Sequence, residues 1–306
     1  MFLEVKNISK SYNSNSILEG ITFSQEKGEI ISIIGSSGEG KTTLLNCLSG
    51  LIDINSGSVK LNSHQIENVN ASKRNISYVF QESPLFPHLN VLENILFNLN
   101  HYDEKELEGL ISKTSISMLL KKYPYELSGG ENQRVAVVRS LIRKPDLLLM
   151  DEPFSNLDSF NKKKLKEIFF KLIKSNQITT LIVNHDVEES IEISDRIMII
   201  DGGKISILEK PEVIYKHPKS LKIANLFGEV TFFKLNNKII YIRPENLKIV
   251  EKSQKKITVI SSRYTGGKYR IEASFSDNII VLYHNVHLKN GLTLFFDFNK
   301  EDILKI

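Results

Sequence analysis

The residues best suited to chemistry in this chain form a glycine-rich octet, Gly35–Thr42, with the sequence Gly-Ser-Ser-Gly-Glu-Gly-Lys-Thr. This is the phosphate-loop pattern, in which glycine-flanked turns precede a lysine and a hydroxyl. Backbone N–H groups of such a loop face a polyphosphate, Lys41 would reach its terminal phosphates, and the Thr42 hydroxyl can ligate Mg²⁺. Glu39 is an unusual neighbour for a polyanion, so we expect its side chain to point outward. The alternative is an ordinary glycine-rich turn between a strand and a helix.

The segments on either side of the octet favour the phosphate loop. Upstream, Glu29–Ile34 is a short β-branched run, as expected of a buried strand. Downstream, leucines recur at helical spacing from Leu44 to Leu51, and Gly50 is a plausible helix stop. The octet therefore lies between a predicted strand and a predicted helix, which is the context that the motif requires.

A second candidate site is a pair of carboxylates at the end of an apolar segment, Leu147–Met150, which is followed by Asp151 and Glu152. In a parallel sheet the active crevice lies at the carboxyl ends of the strands. Asp151 would join the Mg²⁺ shell, and Glu152 would act on an attacking water as general base. The alternative is two solvated acids at a strand end.

The third segment is Leu127–Arg134, with the sequence Leu-Ser-Gly-Gly-Glu-Asn-Gln-Arg. Ser128 and Glu131 have the spacing of a capping box, which is the purely structural interpretation. Two glycines are costly at a helix start where a cap needs none. A Ser-Gly-Gly helix start is instead typical of an anion site.

The length, composition and charge of the chain argue against several other classes of function. The chain has 306 residues, which suits two domains, with 41% hydrophobic and 25% charged residues, as in soluble globular proteins. Its net charge of +4 is too weak to argue for a nucleic-acid or lipid partner. Cys47 is the single cysteine, so no intramolecular disulfide can form, which suits a reducing cytoplasm. We expect neither a signal peptide nor a transmembrane segment, because no apolar stretch approaches the roughly 20 residues required.

The order of patterns along the chain predicts an α/β fold with a second, smaller domain. Residues 2–34 are β-rich, about 92–142 are helical with a break near Tyr123-Pro124, and βαβ units on a parallel sheet follow. Asp201-Gly202-Gly203 predicts a turn that closes a hairpin. After Gly228, short alternating runs predict a small all-β module. We therefore predict domains at 1–228 and 229–306.

Taken in order, these motifs resemble those of the ATP-binding cassette (ABC) family over residues 2 to about 228. Glu131 stands where glutamine is commoner in the family signature. The resemblance implies a phosphate-loop NTPase cassette with a mixed, largely parallel core sheet, an antiparallel β subdomain and a helical subdomain. The matching positions are Tyr12, Gly35–Thr42, Gln81, Leu127–Glu131, Asp151, Glu152, Ser155–Asp158 and His185.

The resemblance also implies a role for each position, with ATP as substrate and Mg²⁺ as cofactor. Glu152, His185 and Gln81 would be catalytic, and Thr42, Gln81 and Asp151 would hold the metal. Two cassettes would pack head to tail, each signature closing on the partner's ATP. Tyr12 would stack on adenine, although a loop tyrosine is generic, and a histidine at a strand end such as His185 is often structural. The nucleotide-binding residues would be Tyr12, Gly35, Ser36, Ser37, Gly38, Glu39, Gly40, Lys41, Thr42, Thr43, Ser128, Gly129, Gly130 and Asp158.

The segment after Gln81 is a candidate docking surface for another protein. Ser83–Leu89 is apolar and contains two prolines, which exclude a regular helix or central strand. Such a segment suits a groove for a partner's helix. Integral membrane permease subunits would dock near Gln81–Leu89, and an extracytoplasmic solute-binding protein would act through them. The alternative is burial under the chain's own helices.

The C-terminal segments resemble those of importer subunits. Tyr215–Pro218 and Leu226–Gly228 resemble the ending of importer-type cassettes, and Ile242–Leu247 resembles the start of their transport-associated OB-type domain. OB-like folds can bind nucleic acid on aromatic platforms, but Tyr264 and the other aromatic residues fit a strand core equally well. We therefore expect no nucleic acid.

The sequence as a whole predicts the ATPase of a binding-protein-dependent importer, peripheral on the cytoplasmic face of the membrane. The alternatives are a soluble ABC ATPase acting on ribosomes or nucleic acid, and an exporter motor. The segments Phe80–Ile95 and Asp151–Asp158 look most like those of subunits for ferric iron, with oxyanion, polyamine and sugar importers close behind.

Overall fold

The computed structural model describes residues 1–13, 15–82, 84–154, 159–236 and 238–306. The chain forms two compact units, Met1–Glu209 and Lys210–Ile306. The division follows Glu209 rather than Gly228, where the sequence patterns placed it, because the segment after Glu209 packs with the C-terminal strands.

The N-terminal unit contains ten strands and six α-helices among its described residues. In chain order they are β1 (Leu3–Tyr12), β2 (Asn15–Gln25), β3 (Ile30–Ile34), α1 (Lys41–Ser49), β4 (Ser56–Leu61), β5 (His64–Gln65), β6 (Ile76–Val79), α2 (Val91–Leu96), α3 (Glu104–Lys113), α4 (Gly129–Leu141), β7 (Leu147–Asp151), α5 (Ser159–Ser175), β8 (Thr179–Val183), α6 (Val187–Ile193), β9 (Arg196–Asp201) and β10 (Lys204–Glu209).

A six-stranded sheet forms the centre of this unit, in the order β10-β9-β3-β8-β7-β6. The five strands from β9 to β6 are parallel, and β10 pairs antiparallel with β9 through the predicted hairpin. All residues of β7 are buried because both faces of the sheet are covered. Leu148 and Met150 join one apolar core with α4, whereas Leu147 and Leu149 join another with α1.

A four-stranded antiparallel sheet, in the order β2-β1-β4-β5, lies beside the second of these cores. The helical stretch expected between about 92 and 142 contains α2, α3 and α4. It is interrupted at Pro124–Glu126, a 3₁₀ turn that proline begins. The prediction of a mixed α/β cassette with antiparallel and helical subdomains is confirmed.

The C-terminal unit begins with two short helices, α7 (Pro211–Lys216) and α8 (Leu221–Leu226). Five strands form a sheet in the order β13 (Lys248–Val250), β17 (Thr293–Asp297), β14 (Lys256–Tyr264), β15 (Tyr269–Phe275) and β16 (Asn278–His284). Two further strands, β11 (Thr231–Leu235) and β12 (Lys238–Ile242), form a separate two-stranded sheet. Phe233 and Phe296 lie at the centre of the unit's apolar core. This confirms a small β domain, while its OB-type identity stays a prediction.

The side chain of Arg243 explains why α7 and α8 belong to this unit. Its guanidinium donates hydrogen bonds to the carbonyl oxygens of Ala224 (2.9 Å) and Gly228 (2.8 Å), at the end of α8. It also lies 4.2 Å from the ring centroid of Tyr215, in α7. A boundary at Gly228 would separate these groups.

Throughout the described parts of both units, every helix is too short or too polar to span a membrane.

Candidate functional site

The glycine-rich octet forms a tight loop between β3 and α1. Gly40 caps α1 in the left-handed conformation, with φ 89°. A Cβ atom on Gly40 would lie 2.8 Å from the Leu18 side chain, and one on Gly35 would lie 2.5 Å from the carbonyl oxygen of Ile200. Only glycine fits at these two positions, so the loop backbone can wrap closely at the helix start.

Lys41 is buried at the centre of the loop. Its ammonium donates hydrogen bonds to the carbonyl oxygens of Gly35 (2.8 Å) and Ser36 (2.7 Å). Burial lowers the pKa of Lys41, and the nearby carboxylates of Glu152 and Asp151 act against that change. The lysine and both predicted acids therefore form one electrostatic group. Of the other predicted loop residues, Ser36, Ser37 and Gly38 are exposed, and Thr43 lies in the first turn of α1.

Asp151 ends β7 beside the start of α1. It is buried, and the neighbouring Thr42 hydroxyl favours its charged form. Burial is the main cause that raises the pKa of Asp151, since a charged carboxylate is poorly solvated there. A bound cation would offset this penalty, and the two oxygen ligands are of the hard kind that Mg²⁺ prefers. Thr42 and Asp151 therefore fit the expected Mg²⁺ ion.

Glu152 is held between Gln81 and His185. Its Oε1 lies 2.5 Å from His185 Nε2, and its Oε2 accepts a hydrogen bond of 3.3 Å from Gln81 Nε2. Its backbone has φ 46°, and its N–H donates to the carbonyl oxygen of Val183 at 3.0 Å. The structure thus groups the three predicted catalytic residues at the carboxyl ends of β6, β7 and β8. Gln81, which was also predicted as a metal ligand, contacts Glu152.

The signature segment begins α4 with a complete capping box. The Ser128 Oγ accepts from the Glu131 N–H at 3.3 Å, and the Glu131 carboxylate accepts from the Ser128 N–H at 2.8 Å. The hydrogen bond from the Ser128 N–H is the main cause that lowers the pKa of Glu131. Gly129 and Gly130 form the first turn of α4, which packs against the opposite face of the central sheet from α1. Within one chain, the structure does not group these residues with the phosphate loop.

The remaining predicted residues lie at the ends of elements. Tyr12 ends β1, with 47% of its surface exposed and the Lys10 ammonium 5.3 Å from its ring centroid. Its ring is therefore accessible for stacking. Asp158, together with the rest of Ser155–Asp158, lies outside the described residues.

One residue of the site was absent from the sequence-based predictions. Tyr78, on β6, has its phenol beside Asp151, and burial is the main cause that raises the pKa of Tyr78. Its ring stacks on Phe80 with centroids 4.1 Å apart, directly before Gln81. The pairing of Tyr78 with Leu149, two residues before Asp151 on the adjacent parallel strand, would have indicated it. Sequence alone does not give that register.

Comparisons with known proteins agree with this geometry. Residues 18–155 match the family model described as ABC transporter. The sulfate/thiosulfate import ATP-binding protein CysA of Halalkalibacterium halodurans is 31% identical, over 96% of each chain. The Fe(3+) ions import ATP-binding protein FbpC of Fusobacterium nucleatum is 35% identical, over 96% of this chain and 79% of its own. The spermidine/putrescine import ATP-binding protein PotA of Clostridium acetobutylicum is 32% identical, over 99% and 96%.

Among solved structures, the cassette MJ0796, described as a dimeric post-hydrolysis state bound to ADP and Pi, matches with a TM-score of 0.61. It is 27% identical to this chain and covers 68% of it, and 98% of MJ0796 is matched. Together with the grouped lysine, carboxylates, glutamine and histidine, these matches show that the chain belongs to the ABC transporter family, as one of its ATP-hydrolysing subunits.

Proposed function

We propose that two copies of this chain pack head to tail around two Mg-ATP molecules and power the import of a solute through separate membrane subunits. The observation that carries this proposal is the Glu152 carboxylate, held between Gln81 and His185 and next to the buried Asp151. A carboxylate with a different partner on each oxygen is oriented for general-base chemistry.

Each residue of the site then has a distinct task. The loop amides and Lys41 bind the terminal phosphates of ATP. Thr42 and Asp151 would hold Mg²⁺, which neutralises charge on the phosphates when it is bound. Glu152 takes the proton of the attacking water, and His185 orients the carboxylate and contacts the γ-phosphate. Gln81 adjoins the proposed docking segment, and it transmits structural changes at the nucleotide site to the membrane subunit.

The position of the signature segment supports the head-to-tail dimer. Ser128–Gly130 forms a glycine-rich helix start, which suits an anion. It packs on the opposite face of the sheet from α1, so a second copy is needed to bring such a helix start to the first copy's ATP. The solved cassette that this chain resembles is described as a dimer.

Ser83, in the proposed docking segment, lies outside the described residues; the described remainder is largely apolar, and Asn94 holds Phe86. Phe86 and Phe97 are partly exposed, with ring centroids 4.3 Å apart. The Asn94 side chain accepts from the Phe86 N–H at 2.7 Å and donates to the Phe86 carbonyl oxygen at 3.1 Å. A rigid apolar surface of this kind suits a helix of a membrane subunit. Such docking would place the chain at the cytoplasmic face of the membrane, beneath a permease that receives solute from a binding protein.

The solute proposed from the sequence is ferric iron. Relatives named for sulfate or thiosulfate, ferric iron and polyamines match this chain at 31%, 35% and 32% identity. Cassettes for chemically different solutes are therefore similar, as expected if the solute contacts only the membrane subunits. Uptake of ⁵⁵Fe³⁺, sulfate and spermidine by a deletion strain tests the assignment, and undiminished iron uptake would reject it.

Replacement of Glu152 by Gln tests the proposed mechanism. Gln keeps the shape and a hydrogen-bond acceptor but cannot take a proton, so we expect ATP binding with turnover lowered by about 10²- to 10⁴-fold. The variant should form a stable dimer with Mg-ATP, measured by light scattering after gel filtration. Glu108→Gln, on the exposed face of α3, is the charge-matched control. Hydrolysis by Glu152→Gln near the wild-type rate would reject the base, and a monomer with Mg-ATP would reject the dimer.

A further inference from the structure

The phosphate loop lies against the end of β9 and the turn that follows it, and neither Gly35 nor Gly203 has room for a side chain. A Cβ atom on Gly35 would meet the Ile200 carbonyl oxygen at 2.5 Å, and one on Gly203 would meet the Ile17 carbonyl oxygen at 2.6 Å. The Glu19 N–H donates to the Gly203 carbonyl oxygen at 2.9 Å. The loop, this turn and β2 therefore form one closely packed group.

A side-chain hydrogen bond joins the loop to the turn. The Gly202 N–H donates to the Glu39 Oε2 at 2.5 Å. Asp201 pairs with Lys204 across the hairpin, and the two central glycines have φ of 56° and 71°, as in a type I′ turn. The Gly202 amide lies outside the strand ladder and is free to bind a side-chain acceptor.

We propose that Glu39 is a positioning residue of the nucleotide site, whose carboxylate fastens the phosphate loop to the β9–β10 turn. This inference rests on the proposed function. The loop binds phosphate through its backbone N–H groups, so their affinity depends on how well the loop holds its shape. Gly38 and Gly40, with φ of 87° and 89°, make the loop backbone intrinsically permissive. The hydrogen bond of Glu39 compensates for that freedom.

Glu39 has two opposing effects on a bound polyphosphate. Its hydrogen bond to the turn orders the loop, which favours ATP binding. Its negative charge repels the phosphates, and its field also acts on the Lys41 ammonium. Three substitutions separate the two effects. Glu39→Gln keeps the hydrogen-bond acceptor without the charge, and Glu39→Ala removes both. Glu39→Asp keeps the charge, but its side chain is one methylene shorter.

The experiment measures the KM for Mg-ATP, the kcat and the equilibrium affinity for ATP in the full chain. We expect Glu39→Gln to bind ATP at least as tightly as the wild type. The KM of Glu39→Ala should exceed that of Glu39→Gln by about fivefold, the effect of one hydrogen bond. Glu39→Asp should bind most weakly, because it retains the repulsion without the contact. The kcat at saturating ATP should change less than KM in all three.

The Glu108→Gln variant controls for the change in net charge, and thermal unfolding of each variant shows that it is folded. Equal KM values for the Gln and Ala variants would overturn the inference, as would tighter binding by Glu39→Ala than by Glu39→Gln. Failure of the wild-type chain to bind Mg-ATP would instead reject the proposed function itself. The two failures are therefore distinguishable.

Discussion

At the scale of single residues, the backbone of Glu152 explains how its carboxylate is directed. Its φ of 46° lies in the left-handed region, which costs a non-glycine residue of order 1–3 kcal/mol. The hydrogen bond from its N–H to Val183 holds this conformation. The turn directs the carboxylate toward Gln81 and His185 rather than along the strand. Strain of this kind is retained where the surrounding structure requires it, and here it orients the proposed base.

Cys47 leads to a prediction at the same scale. Its side chain is 2% exposed, and burial raises the pKa of its thiol to about 11. Because only the thiolate reacts, and the raised pKa keeps the thiol neutral below that pH, we expect slow reaction with Ellman's reagent at pH 8. The same reaction in guanidinium chloride, where the chain is unfolded, should be fast. Rapid labelling of the folded chain at pH 8 would contradict this.

At the scale of elements, side chains that alternate between the two faces of a strand determine where the residues of the site lie. In β7, successive residues face two different apolar cores, and Asp151 lies on the face shared with α1. This alternation is why Asp151 meets Thr42 at the start of that helix. Glu152, one residue later, is directed to the ends of β6 and β8. Two adjacent acids thus obtain different partners, as the different tasks proposed for them require.

Arg243 provides a prediction for the elements of the C-terminal unit. It is 1% exposed and donates to the carbonyl oxygens of Ala224 and Gly228. Arg243→Met fills a similar volume but leaves those buried acceptors without a donor, so we expect a loss of about 3 kcal/mol in the free energy of unfolding. Denaturant unfolding measures this, with exposed Arg263→Met as the control. A loss no larger than the control's would show that Arg243 contributes little to stability.

At the scale of the whole molecule, the chain is built from two compact units whose boundary differs from the one that the sequence patterns indicate. The change from α/β to all-β patterning occurs near Gly228. Packing places the boundary earlier, because α7 and α8 supply the groups that surround Arg243. Composition shifts therefore mark a change of secondary structure, whereas contacts define a folding unit.

Two fragments test this boundary. A fragment of residues 210–306 retains Tyr215, Ala224 and Gly228 around Arg243, so we expect a cooperative thermal transition by circular dichroism. A fragment of residues 229–306 lacks all three, and we expect it to be unfolded or to melt at a much lower temperature. Equal stability of the two fragments would place the boundary after Gly228 instead.

The sequence by itself determined the strands and motifs that depend on neighbouring residues. The β-branched run Glu29–Ile34 matches β3 to within one residue, and the alternating runs after Gly228 correspond to strands of the C-terminal unit, because buried and alternating patterns are local signals. The phosphate loop and the capping box at Ser128 were likewise readable from spacing alone. Family resemblance then assigned roles to residues such as Gln81 and His185, which no local pattern distinguishes.

Only the tertiary structure decided which distant residues meet. The hydrogen bond between Glu39 and Gly202, the phenol of Tyr78 beside Asp151, and the inclusion of α7 and α8 in the C-terminal unit all join segments far apart in the chain. The first two contacts follow from the strand order β10-β9-β3-β8-β7-β6 and from the register of each pair. Hydrophobic periodicity specifies which face of a strand is buried, but it does not specify the strand's neighbours.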